Sequence, residues 1–340
     1  MKILVTGSEG YLGVPLTQVL IKHGHEVVGL DTGFYRNAWL FNGVKKLPQL
    51  ISKDTRLVTA KDLEGFDAIV HLAELSNDPL GQIDKNLTYS INHLGTVNLI
   101  KAAKKAGVKQ FIYFSSCSIY GASEEIATEE TTPQPLTEYA KCKVLNEKYL
   151  LKQAGKSFSP IILRNATAFG PSPRMRFDLA INNLAAWAFT THQVKLESNG
   201  NAWRPFAHVL DIAEAVVAVL AAPKSKVHAQ IFNVGGIKAN YQIKDVAEMI
   251  AHIIPGSKVV VSSKSADKRN YRVNFSKIHV LLPDFSGKRT VNQGIDELYR
   301  LFRQISLTKA DFESKDYTRL KQIQYLVARQ FIDKQFLWRI

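Results

Sequence analysis

The sequence predicts an α/β fold: a doubly wound parallel sheet with a smaller, mixed α/β lobe in its C-terminal part. Three observations predict it. Short apolar runs alternate with helical patterns between residues 2 and 164. The first run ends in a glycine-rich turn, Gly7-Ser8-Glu9-Gly10-Tyr11-Leu12-Gly13, and a helix pattern follows at once. The second run ends in an acid, Asp31. Such alternation builds a parallel sheet covered by helices on both faces.

Taken in order, Lys2–Thr6 is a short apolar strand, the glycine turn follows, and a helix runs to about Lys22. His25–Asp31 is the second strand. The glycines permit a tight turn, close approach of a pyrophosphate, and close packing of helix on strand. The helix N-terminus then faces the phosphates. A carboxylate where Asp31 stands holds an adenosine ribose and repels a 2′-phosphate, which favours NAD over NADP. This is a Rossmann-type beginning. Phe66–Leu72 is the next strand, Gln82–Ala106 a long helix stopped by Gly107, and Lys109–Ser115 a strand. Leu136–Gln153 is a helix and Ser159–Arg164 a strand. Ligands of such sheets sit beyond the carboxyl ends of the strands. That places Gly7, Asp31, Leu72 to Ser76, Ser115 to Ser118 and Arg164 to Thr167 on one rim.

Beyond Arg164 the pattern becomes irregular. Gly170-Pro171-Ser172-Pro173 is a loop, Phe177–Phe189 a helix, Val194–Glu197 a strand and Asn199–Arg204 a turn. Asp211–Leu220 is a helix and Gln230–Val234 a strand. The division expected is residues 1–165, with 206–236 returning to them, as the dinucleotide-binding domain. Residues 166–205 and 237–340 then form the smaller lobe, ending in a helical tail. Apolar and aromatic residues recur through the tail, among them Tyr317, Tyr325, Phe331, Phe336 and Trp338, which predicts packed helices on the smaller lobe.

Composition sets bounds. An apolar content of 46% with 22% charged residues is that of an ordinary globular protein. No apolar run reaches the ~18 residues of a membrane span. A strand pattern occupies residues 1–5, where a signal peptide would otherwise stand. Two cysteines, Cys117 and Cys142, make no disulfide framework and fit a reducing, cytoplasmic setting. No Cys/His cluster has metal-ligand spacing, so no metal is expected. The net charge of +14 raises the question of nucleic acid. The basic residues are scattered, as at Lys101, Lys104, Lys105 and Lys109, without an aromatic-basic stripe, so a lysine-rich surface and an anionic small ligand are expected instead.

One pair on the helix from Leu136 carries chemistry. Tyr139 and Lys143 are four apart, hence on one helix face. A phenol with a pKa of ~10 is a poor base at neutral pH. A nearby ammonium favours the phenolate, and the pair makes a usable acid/base.

Together these residues make the chain similar to the extended short-chain dehydrogenases/reductases, in their NAD-dependent nucleotide-sugar epimerase/dehydratase group. The resemblance rests on Thr6-Gly7 with Gly10 and Gly13, Val70-His71-Leu72-Ala73, and Phe114-Ser115-Ser116-Cys117-Ser118-Ile119-Tyr120-Gly121. It rests also on Tyr139 with Lys143, Leu163-Arg164 with Gly170-Pro171, and Arg204-Pro205-Phe206-Ala207-His208 with Asp211. It implies that Tyr139 is the acid/base, that Lys143 holds the nicotinamide ribose, and that Ser116 hydrogen-bonds the reacting hydroxyl. It implies cofactor contacts at Gly7, Gly10, Tyr11, Leu12, Gly13, Asp31, Asp54, Thr55, Leu72, Ala73, Ser76, Asn92 and Ser115, besides Tyr139 and Lys143. For Asn92 a backbone tie is the competing role. Glu74 departs from the small residue the group often has there, and Lys53 from a glycine. Substrate contacts fall on Ser116, Ser118, Thr167, Asn183, Leu184, Arg204 and Arg269, with Thr167 standing where an asparagine is common. Cys117 and Cys142 are expected in the core, and His208 in a structural role.

What the resemblance implies is a redox-neutral nucleotide-sugar epimerase serving polysaccharide biosynthesis. The partner is a nucleotide-diphosphate sugar, with no nucleic acid and no membrane. A homodimer would form through the two long helices. A nucleotide-keto-sugar reductase or dehydrogenase is the alternative, and a non-catalytic NAD-binding regulator a more distant one. The 4,6-dehydratases of the group carry Asp-Glu after the Ser/Thr, where this chain has Cys117 and Ser118. Replacing Asp31 with Ala should weaken NAD binding more than NADP binding, as read by titration of the purified protein with each. Tighter NADP binding by the unaltered chain would refute this reading of Asp31.

Overall fold

Seven short strands build the main sheet. They are β1 (Lys2–Thr6), β2 (Glu26–Asp31), β3 (Gln49–Ser52), β4 (Ala68–His71), β5 (Gln110–Ser116), β6 (Ser159–Asn165) and β7 (Ile231–Val234). The structure, a computed structural model, describes residues 1–44, 46–76, 84–261 and 269–339. The strand order is β7-β6-β5-β4-β1-β2-β3, and every neighbouring pair is parallel. All seven residues of β6 are buried, as expected of a strand covered on both faces. The order reverses between β1 and β4, which opens a crevice at the carboxyl ends of those strands.

Helices α1 (Gly13–Lys22), α2, α3 (Glu138–Leu151), α4 (Ala180–Thr191), α5 (Val209–Ala221), α6 (Ile243–Ile253), α7 (Val291–Gln304) and α8 (Arg319–Ala328) follow in chain order. Helix α2 is composed of Lys85–Thr88, a π-helical turn Tyr89–Leu94, and Gly95–Lys105. The expected start of this helix at residues 82 and 83 lies outside the described residues. Gly107 ends the helix in the left-handed region, at φ 79°. On one face of the sheet, Leu16 and Leu20 of α1 and Ile212, Val216 and Val219 of α5 pack against Ile3, Val5 and Val70. On the other, Leu99, Ile100 and Ala103 of α2 and Leu150 of α3 pack against Leu4, Ile69 and Phe111. A Cβ at Gly13 would lie 2.1 Å from the Gly7 carbonyl oxygen, so close packing of α1 on the glycine turn excludes any side chain there.

The smaller lobe has its own core, centred on Phe169, Phe177, Ile181, Leu184, Phe206, Ile250, Ile295 and Phe302. Thr167–Phe169, Trp203–His208 and Asn240–Gln242 form a three-stranded sheet, and two further two-stranded sheets pair 193–196 with 258–261 and 122–127 with 270–273. Several of these pieces depart from the sequence pattern. The helix expected from Phe177 starts at Ala180, and the turn expected over 199–204 gives way to a strand at Trp203. The strand Ala122–Ala127 (ASEEIA) is mostly exposed and carries little apolar signal.

The tail also departs from expectation. Phe312 packs against Phe177 and Trp187 of the smaller lobe. Residues 319–339, expected on that lobe, lie instead against the rim of the main sheet. There Ile323, Leu326, Ile332 and Phe336 bury Phe34, Leu75, Leu87 and Ile91. The apolar pattern predicted burial, but pattern cannot name the surface buried against.

Helix α3 is held to the sheet by a buried ion pair. Arg164 of β6 donates from Nη2 to Glu147 Oε2 at 2.7 Å and from Nε to Glu147 Oε1 at 3.1 Å. Ser115 Oγ donates to the same carboxylate at 2.5 Å, and Arg164 Nη1 donates to Tyr120 Oη at 2.9 Å. Removing one partner leaves a buried charge unpaired. Glu147→Ala should therefore cost about 3–5 kcal/mol of stability, read from the denaturant midpoint. A loss below about 1 kcal/mol would mean that this pair does not anchor the helix.

Candidate active site

The carboxyl ends of the sheet strands and the smaller lobe enclose one cavity of about 1150 Å³. Every site residue picked out in the sequence lines it except Asn92. At one end stands the glycine turn, with Gly7, Gly10, Tyr11, Leu12 and Gly13. Gly7 has φ 72°, and a Cβ there would meet the Ala73 backbone nitrogen at 3.0 Å. Thr6 Oγ1 accepts from the Leu72 and Ala73 amides at 3.1 and 3.2 Å and hydrogen-bonds His71 Nδ1 at 2.7 Å. His71 Nε2 bonds Thr96 Oγ1 at 2.9 Å. Burial, aided by the Lys143 charge, lowers the His71 pKa to about 3, so this imidazole is a neutral brace.

Asp31 stands beside the turn. Its Oδ1 accepts from the Gly33 amide at 2.8 Å and its Oδ2 from the Glu9 amide at 3.0 Å. Burial raises its pKa, and the two amides offset part of the rise. Asp54 is engaged by Arg56, at 3.0 Å from Nε and 2.8 Å from Nη2, while Thr55 lies buried next to it. Ser76 Oγ accepts from Arg176 Nη1 at 3.0 Å. Asn92 is a backbone tie: its side chain accepts from the Leu75 amide at 2.8 Å and donates to the Leu75 carbonyl at 3.1 Å. It shapes the loop after β4 without facing the cavity.

The middle of the cavity brings together Ser115 and Ser116 from the end of β5, Ser118 from the helical turn after it, and Tyr139 and Lys143 from the first turns of α3. Thr137 caps that helix, its Oγ1 accepting from the Ala140 amide at 3.2 Å. The Lys143 ammonium lies 5.3 Å from the centre of the Tyr139 ring. Ser116 Oγ accepts from the Ser118 amide at 3.1 Å. The Ser118 hydroxyl is buried with no hydrogen-bond partner among the described residues. Cys117 points away, its Sγ 3.2 Å from the Arg164 carbonyl, and burial raises its pKa well out of the thiolate range. Cys142 is buried too, its pKa pushed up to about 12.

Glu74 was legible only as a departure, yet it sits at the centre of the site. Its Oε2 is 2.8 Å from Lys143 Nζ, and both side chains are nearly inaccessible. Tyr113 Oη donates to its Oε1 at 2.7 Å, and Asn146 Nδ2 donates to Tyr113 Oη at 2.9 Å. Lys143 also donates to the Phe114 carbonyl. Burial alone would lower the Lys143 pKa, but Glu74 and Tyr139 more than offset it and the net shift is upward. Burial raises the Glu74 pKa, with Lys143 offsetting part of it. The ammonium beside Tyr139 is thus already matched by a carboxylate.

At the far end the smaller lobe supplies Thr167, Asn183, Leu184, Arg204 and Arg269. Arg204 is buried, donates to the Trp203 carbonyl at 2.7 Å, and lies 5.5 Å from the Tyr271 ring. Asn183 Nδ2 donates to the Phe177 carbonyl at 2.8 Å. His208 bonds Glu297 at 3.0 Å outside this group, a structural contact. Arg176, paired with Asp178 at 2.8 Å, and Arg319 also line the cavity, and pattern reading missed both. Arg176 lies in an irregular loop and Arg319 in a distant tail, where no periodicity marks a ligand. Asp267, two residues before Arg269, lies outside the described residues. Among the described residues no group of three or more His, Cys, Asp or Glu could hold a metal ion, and no helix is long and apolar enough to cross a membrane.

A parallel sheet with its glycine turn at the switch point and a Tyr–Lys pair across the crevice defines a dinucleotide-dependent enzyme with a Rossmann-type fold. The chain belongs to the NAD dependent epimerase/dehydratase family, whose model matches residues 3–235. It is 28% identical to a UDP-glucuronate 4-epimerase of Thermodesulfobacterium geofontis over 85% of this chain and 94% of that one. It is 30% identical to a UDP-glucose 4-epimerase of Bacillus subtilis over 69% of this chain and 77% of that one. Among solved structures, it resembles the UDP-glucuronic acid 4-epimerase from Bacillus cereus in complex with UDP-glucuronic acid and NAD. That likeness has a TM-score of 0.77 at 26% identity, over 90% of this chain and 100% of the other. The cofactor is NAD, and the residues present suit it: the glycine cradle leaves no room for side chains, and Asp31 faces the cavity beside it.

The Glu74–Lys143 pair yields a prediction. Glu74→Gln removes the carboxylate facing the ammonium and leaves an amide of the same shape. The Tyr139 phenol should then titrate at lower pH, because the ammonium is no longer matched. Ultraviolet difference titration against Tyr139→Phe in the same background reads this group alone. An unchanged or higher titration point would show that Glu74 does not restrain the lysine charge.

Proposed function

We propose that the protein is a nucleotide-sugar epimerase that works by transient oxidation of a ring carbon. The carrying observation is the set of groups around Tyr139. Hydroxyls of Ser116 and Ser118 stand at the end of β5 in the same cavity as the Tyr139–Lys143 pair, and no carboxylate follows Ser116. Of the carboxylates lining the cavity, Glu74 is engaged by Lys143 and Asp178 by Arg176. Elimination of water uses an acid and a base directly after the serine, and this chain has Cys117 and Ser118 there.

When bound, NAD supplies the acceptor that takes a hydride from the sugar and returns it. The glycine turn, Asp31 and Lys143 hold the cofactor. Ser116 orients the reacting hydroxyl, with Ser118 as a second donor. Tyr139 takes the hydroxyl proton as the carbonyl forms and gives it back after the keto-sugar has turned. The nucleotide diphosphate is anchored at the other end of the cavity by Arg204, with Asn183, Leu184, Thr167 and Arg269 around it. An anchor far from the reacting carbon lets the ring turn without losing the intermediate. Arginine is suited to the diphosphate because its planar fork meets phosphate oxygens in pairs. Helices α2 and α3, with Tyr89, Leu94 and Leu145 exposed, form the face through which two copies pair.

The test offers a panel of nucleotide sugars with catalytic NAD and no reductant. An inverted sugar is expected. Turnover only with stoichiometric NAD(P)H would assign a ketoreductase instead, and loss of water a dehydratase. Tyr139→Phe should lose roughly two to four powers of ten in rate, with nucleotide-sugar affinity little changed.

A further inference from the structure

The tail beyond α7 ends on the cofactor half of the cavity. The strap formed by residues 319–339 crosses two loops there: the one after β2, directly past Asp31, and the one after β4. Gln322 Nε2 donates to the Phe34 carbonyl at 3.0 Å, and Trp338 Nε1 to the Thr32 carbonyl at 2.6 Å. Arg56, which holds Asp54, donates to the Gln335 carbonyl at 2.9 Å. Phe34, Leu75 and Ile91, which the strap buries, line the cavity on their other side.

Arg319, the first residue of α8, enters the cavity itself. It is only 2% exposed, and among the described residues its Nη1 is buried with no hydrogen-bond partner. Its guanidinium lies 4.0 Å from the centre of the Tyr35 ring, and Nη2 reaches the Arg174 carbonyl at 3.4 Å. The charges around it do not balance. Arg36 and Arg174 share Glu9, Arg176 takes Asp178, and Arg319 is left with the field of Asp31 and Asp178 against Arg176. Among the described residues, four guanidiniums thus meet three carboxylates. A buried donor without an acceptor, in a cluster one positive charge in excess, is costly unless an anion completes it.

We infer that Arg319 contacts the dinucleotide's diphosphate and that the C-terminal strap is a retaining wall for the cofactor. The anion is the cofactor's, because Arg319 donates to the carbonyl of Arg174, whose guanidinium meets Glu9 of the glycine turn, whereas Arg204 and Arg269 lie on the lobe. With the strap closed, the cofactor leaves only when the strap lifts. An enzyme that returns its hydride in every cycle gains from such retention. The inference itself rests on the cofactor and not on the reaction.

The experiment uses the full chain stripped of nucleotide, with binding followed by intrinsic tryptophan fluorescence and by equilibrium dialysis. Arg319→Ala should weaken NAD and ADP-ribose by roughly ten- to hundredfold, leave adenosine and UDP unchanged, and speed NAD dissociation. Arg319→Lys should recover part of the loss. Gln322→Ala, which loosens the strap without touching the charge, should speed NAD dissociation with association little changed. If Arg319→Ala folds poorly, the unaltered chain still decides: saturating NAD should slow proteolytic cleavage of residues 305–320, by linkage between strap closure and binding. Equal loss of adenosine and NAD affinity, loss of UDP affinity, or NAD-independent cleavage would each overturn the proposal.

Discussion

Two buried ion pairs fix the helix on which the chemistry stands. Glu147 and Arg164 join the middle of α3 to β6, and Glu74 and Lys143 join its first turns to the loop after β4. These two constraints place the helix turn that carries Tyr139. A helix alone sets the spacing of Tyr139 and Lys143, about one turn. It does not set where along the sheet that turn lies. The Arg164 fork gives a register, because two parallel hydrogen bonds to one carboxylate tolerate little sliding. Such pairs are weak as net stabilisers and strong as specifiers, since any shift strands a charge in the interior.

Glu74 makes the reactive centre electrically quieter than a bare Tyr–Lys pair. The lysine donates to the Phe114 carbonyl, and its charge has a partner of opposite sign at 2.8 Å. Tyr113 and Asn146 extend that pair into a network reaching the carbonyl of Asn92 in the π-helical turn. The same residue's side chain clamps Leu75. One line of hydrogen bonds therefore links the shape of the loop after β4 to the charge beside Tyr139. The strap packs on Leu75 from outside. Cofactor loop, reactive pair and tail share one short stretch, residues 73–76.

The basic character of the chain is likewise distributed with purpose in one place only. Lys101, Lys104 and Lys105 lie along α2 with no ligand feature beside them. The arginines of the cavity are different: Arg176, Arg204 and Arg319 are all buried, and a guanidinium is buried where phosphate or carboxylate awaits it. Dispersed lysines thus account for the charge at the surface, and buried arginines for the positive charge that lines the cavity.

The sequence by itself determined the sheet, the glycine turn, Asp31 and the Tyr139–Lys143 pair. Each of these is local: a run of apolar residues, a glycine demanded by close packing, or a helical spacing of four. For the same reason the residues that meet at the rim were legible, because strand ends in a parallel sheet must lie together. Only the tertiary structure decided what depends on distant segments meeting. Glu74 read as an anomaly until Lys143, far along the chain, was found against it. Asn92 read equally well as a cofactor contact until its side chain was seen closing on Leu75. The tail read as packed helices on the smaller lobe, but apolar spacing does not say which of the two surfaces is buried. Only the Phe34 and Leu75 surfaces chose between them, and in doing so placed Arg319 inside the cavity. Burial and charge pairing are properties of neighbours in space, and periodicity along the chain does not encode who those neighbours are.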